Sequence, residues 1–391
     1  MNQTGILSAH ELCIENRLMI DLKQVRLVLF FTQGMSLSSW ENSHLFEREV
    51  AIYHALLPHL AGITFITYGD KKDLQFANKL NGIEVICNHL GLSPSWYRRY
   101  LTYWPAKWQK GHVVFKSNQI RGSDLALEMA KHHKKPFISR CGYLLANWLK
   151  WLDGAEAKTT KAAFALEQRV FNGADRVVVT TDEMKNIVTS DYNLDLKKIC
   201  VIPNYVNTDL FAPSSSPRTP KRLICIGRLE KQKNLESLIN ALADSEVELW
   251  IVGKGTLEEK LKSVAKNRNV AVKFCGIQPH TELPKLINSA SVFILPSSWE
   301  GHPKTLLEAM ACGMPVIGSN IPSIAGVITD RHNGLLCEPT TDGIRKTVFE
   351  LFANSELQIQ LGNNARKYAT DNLTIGKTVQ RELSVIGEQL Q

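Results

Sequence analysis

The stretch SVFILPSSWEGHPKTLLEAMACGMPVIGS, residues 291–319, constrains this chain more than any other. Val292 to Leu295 form an apolar run of strand length. The run enters a tight turn and then a helix read from Pro303, whose fixed φ and missing N–H suit a first helical position. The first amides of such a helix have no intrahelical partner and lie at the positive end of its dipole, so the join is an anion site. Two carboxylates bracket it, Glu300 before the helix and Glu308 within it. Glu308 shares its helix with Leu306, Leu307, Ala309, Met310 and Ala311, a composition that buries nearly every face. A carboxylate there requires a partner. Either it leans back toward the anion site and accepts from ligand hydroxyls, or it pairs with a buried arginine or a neighbouring loop of the protein.

Apolar strand-length runs alternate with helical periods throughout, the signature of parallel α/β domains. In the first half the strands read near 25–31, 62–67, 83–87, 112–116, 136–140, 175–180 and 198–202. The alternation restarts at Arg222, and between the halves NTDLFAPSSSPRTPKR is rich in Pro and Ser and lacks any period, as a linker does. With 391 residues, of which 44% are hydrophobic, two cores can be filled. The expected domains are 1–205 and 206–391, with two helices from about Ser355 to the end.

Lysine and arginine exceed aspartate and glutamate by eight, which points to an anionic partner. The basic residues are spread along the chain without a nucleic-acid-binding motif, so a phosphorylated ligand or an acidic membrane surface is expected and nucleic acid is not. No apolar run approaches the ~18 residues that cross a bilayer. The first residues lack the long apolar core of a signal peptide, and eight scattered cysteines without zinc spacing read as small core residues in a reducing compartment. The expectation is a cytoplasmic protein, either free or peripheral at a membrane.

Several other stretches carry chemistry. RLICIGRLEKQKN puts Gly227, Arg228 and Lys233 around a turn at a helix start, where two cations suit a diphosphate. Gly253 and Gly255 lack the third glycine of a dinucleotide fingerprint, which disfavours a nicotinamide cofactor. Ligands of open α/β sheets bind beyond the carboxyl ends of the strands, so Gly34, Asn118, Arg140 and Cys141 are expected at a cleft. Arg140 there pairs either with a carboxylate of the fold or with an anionic ligand. Trp96, Tyr100 and Trp104 are four apart and form one helical ridge beside Arg98 and Arg99. Such ridges are most often core, and the alternative is a surface that touches headgroups or a lipid-linked acceptor.

The pattern EGHPKTLLEAMACGMPVIG resembles the E-x7-E region of retaining glycosyltransferases of family 4. The first βα turn, VIPNYVNTDLF and RLICIGRLEKQKN fall in the family's order, so the resemblance covers most of residues 25–385. It implies an α/β chain of the GT-B fold, two facing Rossmann-like domains with a cleft between them and a last helix that crosses back to the first. It also implies a nucleotide diphosphate sugar as donor and a hydroxyl of a glycan or lipid-linked acceptor. Arg228 and Lys233 would then hold the diphosphate, Glu300 the sugar and Glu308 the ribose. Gly227, Gly253, Gly301, His302, Pro303, Lys304, Thr305 and Leu306 would line the donor site. Gly276 and Ile277 would hold the base, Gly34 would approach the diphosphate, and Asn204 would stand in the hinge segment. Asn118, Arg140 and Cys141 would lie on the acceptor side, although many members have a histidine where Arg140 stands. Tyr205 and Asn207 replace the usual Gly and Asp. No Asp-x-Asp occurs, so no metal or other cofactor is expected. A sugar-nucleotide epimerase and a catalytically silent binding protein are the alternatives.

Overall fold

The computed structural model describes residues 21–103, 108 and 110–390. Seven parallel strands form the first sheet: β1 (Val25–Phe30), β2 (Gly62–Ile66), β3 (Glu84–Ile86), β4 (His112–Ser117), β5 (Phe137–Cys141), β6 (Arg176–Val179) and β7 (Ile199–Val201). Their order is β3-β2-β1-β4-β5-β6-β7. The second sheet has β8 (Arg222–Ile226), β9 (Glu248–Val252), β10 (Val272–Gly276), β11 (Val292–Leu295), β12 (Val316–Ser319) and β13 (Leu335–Cys337), in the order β10-β9-β8-β11-β12-β13. Helices cover both faces of each sheet, which is why β11 is apolar and buried end to end and β1 is so apart from half-buried Arg26. In each sheet the winding reverses at the first strand, between β1 and β4 and between β8 and β11. A reversal parts the loops beyond the carboxyl ends and leaves a crevice there. The two crevices face each other.

The linker and the last helix tie the halves together. Phe211 is buried in the second core, and Arg366 donates to the carbonyls of Phe211 at 2.8 Å and Ala311 at 2.6 Å. Val206 bridges Thr374 where the chain returns toward the first domain. The helix Ile375–Glu388, capped by the Thr374 side chain, then packs Val379, Val385 and Ile386 among Val25, Leu27 and Phe65. It also brings Glu382 to Lys116 Nζ at 2.5 Å, both side chains almost fully buried. Burial pushes the Lys116 ammonium below its usual range against the pull of Glu382. Removal of one partner of such a pair costs roughly 3–5 kcal/mol, because the other is left buried and unpaired.

Two local expectations are corrected. The helix after β11 runs Lys304–Ala311, with Pro303 extended at its N-cap, so it starts one residue later than the proline suggested. The ridge of Trp96, Tyr100 and Trp104 does not face the core as a unit. The helix Pro94–Tyr103 buries Tyr97 and Leu101, and Tyr100 packs only partly against them. Trp96 is 61% exposed, and Trp104 lies outside the described residues. Tyr97 wins the inward position because its hydroxyl donates to the Thr67 carbonyl at 2.9 Å, while Trp96 carries the Arg99 guanidinium 5.5 Å from its ring centre.

Candidate active site

The loops beyond β4, β5, β7, β8 and β11 enclose a cavity of about 560 Å³ between the domains. Arg228 leaves the end of β8 into it without an ion pair among the described residues, and Lys233 follows in the turn Lys231–Lys233. That turn is fixed by Asn234, in the left-handed conformation, whose amide donates to the carbonyls of Pro296 at 3.1 Å and Pro339 at 2.9 Å. A Cβ at Gly227 would stand 3.0 Å from Lys233 Cε, so a larger residue there would displace the lysine side chain. Lys233 and Glu300, to which the sequence reading gave separate tasks, are paired with each other, and Ser297 Oγ donates to the same carboxylate oxygen at 2.6 Å.

The turn from Gly301 into the helix Lys304–Ala311 forms the cavity's second-domain wall, with the first-turn amides free of intrahelical acceptors. Leu306 does not add to them: its N–H donates to the Pro303 carbonyl at 3.1 Å and its side chain is buried. Thr305 Oγ1 is turned to the Ile226 carbonyl at 3.2 Å. Lys304 reaches across the cleft to Glu49 of the helix Phe46–Leu56 at 2.7 Å. Burial opposes charge on Glu49, but Lys304, Arg48 and Arg140 outweigh it and hold the carboxyl down to about 2. Gly301 touches the first domain directly, since a Cβ there would meet the Gly142 carbonyl at 2.7 Å and Tyr143 Cβ at 2.9 Å.

Asn204 joins both domains to His302. Its N–H donates to His302 Nδ1 at 3.0 Å, its amide donates to the His302 carbonyl at 2.8 Å, and its Oδ1 accepts from Arg140 at 3.0 Å. Arg140 therefore pairs with an amide at the cavity wall and also reaches the Asn118 carbonyl at 3.4 Å. Burial, with Arg140 and Lys304 nearby, lowers the His302 imidazole to about 4.

Glu308 is 3% exposed and lies outside this cavity. One carboxylate oxygen is 2.9 Å from His280 Nε2 and 4.0 Å from Arg48, and the other has no hydrogen-bond partner among the described residues. It opens on a smaller adjoining cavity lined by Arg48, Tyr205 and Thr281. Five further expected residues stand back from the cleft. Cys141 is fully buried, with its Sγ directed at the Tyr143 carbonyl. Gly34, with φ of 82°, lies in a turn pinned where Gln33 N–H donates to the Arg121 carbonyl at 3.0 Å. Gly276 ends β10 and Ile277 follows it, both outside the two cavities, and at Gly253 a Cβ would collide with the Gly227 carbonyl.

The sequence reading missed Arg48, Glu49, Gln119, Arg121, Tyr143, Trp148 and Trp299, all of which line the large cavity. A signal existed for Glu49. It falls between Phe46 and Tyr53 at helical spacing, a charge on an otherwise apolar face.

Residues 62–210 match the model of Glycosyltransferase Family 4, and residues 206–368 match that of Glycosyl transferases group 1. The chain belongs to family 4 of the glycosyltransferases. This family-4 chain is 30% identical over 224 residues to the glycogen synthase of Mycobacterium tuberculosis, covering 55% of this chain and 53% of that one. It is also 30% identical over 212 residues to the UDP-Gal:alpha-D-GlcNAc-diphosphoundecaprenol alpha-1,3-galactosyltransferase of Escherichia coli, covering 48% and 50%. It thus spans about half the length of the curated relatives it matches. Anabaena HepE, solved in complex with UDP and glucose, superposes with a TM-score of 0.73 at 16% identity over 93% of this chain and 99% of its own. That likeness shows the fold: GT-B, two parallel-sheet α/β domains.

Proposed function

We propose that this family-4 chain transfers a sugar from a nucleotide diphosphate donor to an acceptor hydroxyl, with retention of anomeric configuration and without a metal ion. The observation that carries the reading is the convergence of unpaired Arg228, the Lys233–Glu300 pair and the start of the helix Lys304–Ala311 on one wall of one cavity. Rupture of the anomeric bond sends negative charge to the diphosphate and leaves positive charge on the ring. Arg228, the remaining donors of Lys233 and the first helical amides are preorganised for the first. Glu300, held in place by Lys233 and Ser297, is placed to accept from hydroxyls of the transferred sugar. The unpartnered oxygen of Glu308 is short of one donor, a need that a ribose hydroxyl would meet.

The state of the groups opposite supports retention. An inverting enzyme needs a base on the far face. Glu49, the carboxylate of the first-domain wall, is locked by Lys304 and Arg48 and binds protons poorly above about pH 2. His302 accepts at Nδ1 from Asn204, so its proton sits on Nε2 and that nitrogen is a donor. The leaving diphosphate is left as the acceptor's base. Other glycosyltransferases place a metal at the diphosphate; Arg228 and Lys233 would supply that charge here.

The test is a panel of UDP-, GDP- and ADP-sugars, scored by thermal stabilisation and by nucleotide release with an acceptor. Stabilisation without any release would support a binding protein, and conversion of the donor without acceptor would support an epimerase. Either outcome overturns the transferase reading.

The exposed stripe of Trp96, Arg99 and Tyr103 favours a second element, peripheral contact with membrane headgroups. No helix among the described residues is long and apolar enough to cross a membrane. Sedimentation with anionic vesicles, lost in Trp96→Ala, would support the contact.

A further inference from the structure

On the first-domain side of the cleft the helix Leu145–Asp153 carries two tryptophans on one face. Leu145, Ala146 and Leu149 occupy its buried face, and Glu167 fixes its start by accepting from the N–H groups of Leu145 at 2.6 Å and Ala146 at 3.2 Å. Trp148 and Trp151, three residues apart, stack at 5.4 Å between ring centres and 20° between planes. Trp299, which immediately precedes Glu300 on the second domain, lies 4.8 Å from Trp148 and edge-on to Tyr143 at 6.0 Å. Tyr143, Trp148 and Trp299 are only half-buried, and all three line the large cavity beside Gln119 and Arg121.

Tyr143 and Trp148 pack in part against the first core, but the helix is held chiefly through its aliphatic face, and the exposed parts of the rings are left to the cavity. Aromatic faces beside a polar cavity suit a ligand with both an apolar face and a polar rim. A pyranose ring has that form, with axial C–H bonds on its faces and hydroxyls around its edge. Gln119 and Arg121 supply edge groups. A free diphosphate, a polyprenyl chain or a serine side chain offers no such combination. The position also fits an acceptor: the rings line the same cavity as Arg228, and Trp299 is one residue from the carboxylate assigned to the donor sugar. The wall is complete only when the domains meet, because Trp299 and Lys231, whose ammonium lies 5.7 Å from the Trp151 ring centre, both come from the second domain.

We infer that Tyr143, Trp148 and Trp299 form the acceptor subsite and that the acceptor presents a pyranose ring, so that the enzyme extends a saccharide. This rests on the transferase reading above and adds the acceptor's chemical class to it.

The experiment uses the intact protein, Trp148→Ala and Trp148→Tyr in saturation-transfer NMR with methyl α-glucopyranoside, methyl α-galactopyranoside, methyl N-acetyl-α-glucosaminide and, as a polyol without a ring, glycerol. At least one glycoside should receive saturation on its ring protons while glycerol receives none. Trp148→Ala should weaken that glycoside about tenfold or more and Trp148→Tyr by no more than about threefold, as loss and retention of an aromatic face predict. Where alanine does not fold, Trp148→Leu takes its place, with the same loss expected. Equal saturation of glycerol and glycosides, or a folded Trp148→Ala that binds like the parent, overturns the inference. So does a steady-state result in which the variant raises the donor KM in place of the acceptor KM. Nucleotide release judges the underlying reading separately. Release from the donor with no glycoside bound would reject this subsite alone, whereas glycoside binding through Trp148 with no release under any donor would reject transfer and keep the subsite.

Discussion

Asn204 holds His302 by both its backbone and its side chain, donating to the ring Nδ1 and to the carbonyl of the same residue. The exit from the first domain is thereby fastened to the loop that opens the helix Lys304–Ala311. The imidazole is kept neutral there, and that has a measurable consequence.

His302 is lowered to about 4 by burial and by Arg140 and Lys304, whereas an unfolded histidine titrates near 6.5. On acidification the unfolded chain binds the proton first, so stability should fall between about pH 6.5 and 4 by up to on the order of 3 kcal/mol. Glu167, raised to about 7 by burial, acts in the opposite sense across part of this window, because a raised carboxyl loses stability as pH rises. Urea denaturation of the parent and His302→Gln at several pH values separates the two. The variant should lack one proton's worth of the acid slope, and an unchanged slope would reject the assignment.

Arg228→Ala and Lys233→Ala should each lower turnover by about 10²-fold or more, as loss of a leaving-group contact does. Lys233→Ala also frees Glu300 from its pair, so the double variant Lys233→Ala with Glu300→Gln should cost less than the two single losses combined. Near-normal turnover in both single variants would place the diphosphate elsewhere.

Glu49→Gln should destabilise the protein by about 2 kcal/mol, since it removes a charge-assisted hydrogen bond from half-buried Lys304. The Glu49 contribution is present above about pH 4.5 and is lost as pH falls toward 2, a window that lies below that of His302 except for a narrow overlap just above pH 4. Thermal melts of the single variant and of Glu49→Leu with Lys304→Met check it, the pair replacement being expected to recover most of the loss.

Gly301→Ala would push a methyl group against Gly142 and Tyr143 and hold the domains apart. Transfer should fall roughly tenfold or more through misplacement of the reacting groups. Small-angle scattering should report a wider molecule, and unchanged scattering with full activity would show that the contact yields without cost.

An α-linked donor should give an α-linked product at an undiminished rate in EDTA. The product's anomeric proton coupling reads the first. A β product, or activity abolished by chelator and restored by Mn²⁺, would count against a diphosphate base and against cations in the place of a metal.

The strands were legible because each is a local apolar run: 25–31 and 112–116 were read where Val25–Phe30 and His112–Ser117 stand. Arg228 and Lys233 were legible because a glycine turn between strand and helix fixes both within seven residues. The partners were not. Glu308 meets His280 and Arg48, Glu49 meets Lys304, and Lys233 meets Glu300, contacts that join loops far apart in sequence or in different domains. Spacing also could not choose between the Trp96–Tyr100 and Tyr97–Leu101 faces of one helix, since both pairs are four apart. The choice fell to a hydrogen bond from Tyr97 to a carbonyl thirty residues away.

The return of the helix Ile375–Glu388 to the first domain sets the order in which the molecule can be built. Val379, Val385 and Ile386 complete the core around β1, and Glu382 supplies the only carboxylate paired with buried Lys116 among the described residues. During synthesis the core around β1 therefore stays incomplete, with Lys116 lacking its partner, until the helix Ile375–Glu388 has been made. The second domain's sheet, finished at Cys337, can close first. The half made first is the half finished last, and removal of the helix Ile375–Glu388 would take from the front domain part of its core and the partner of Lys116.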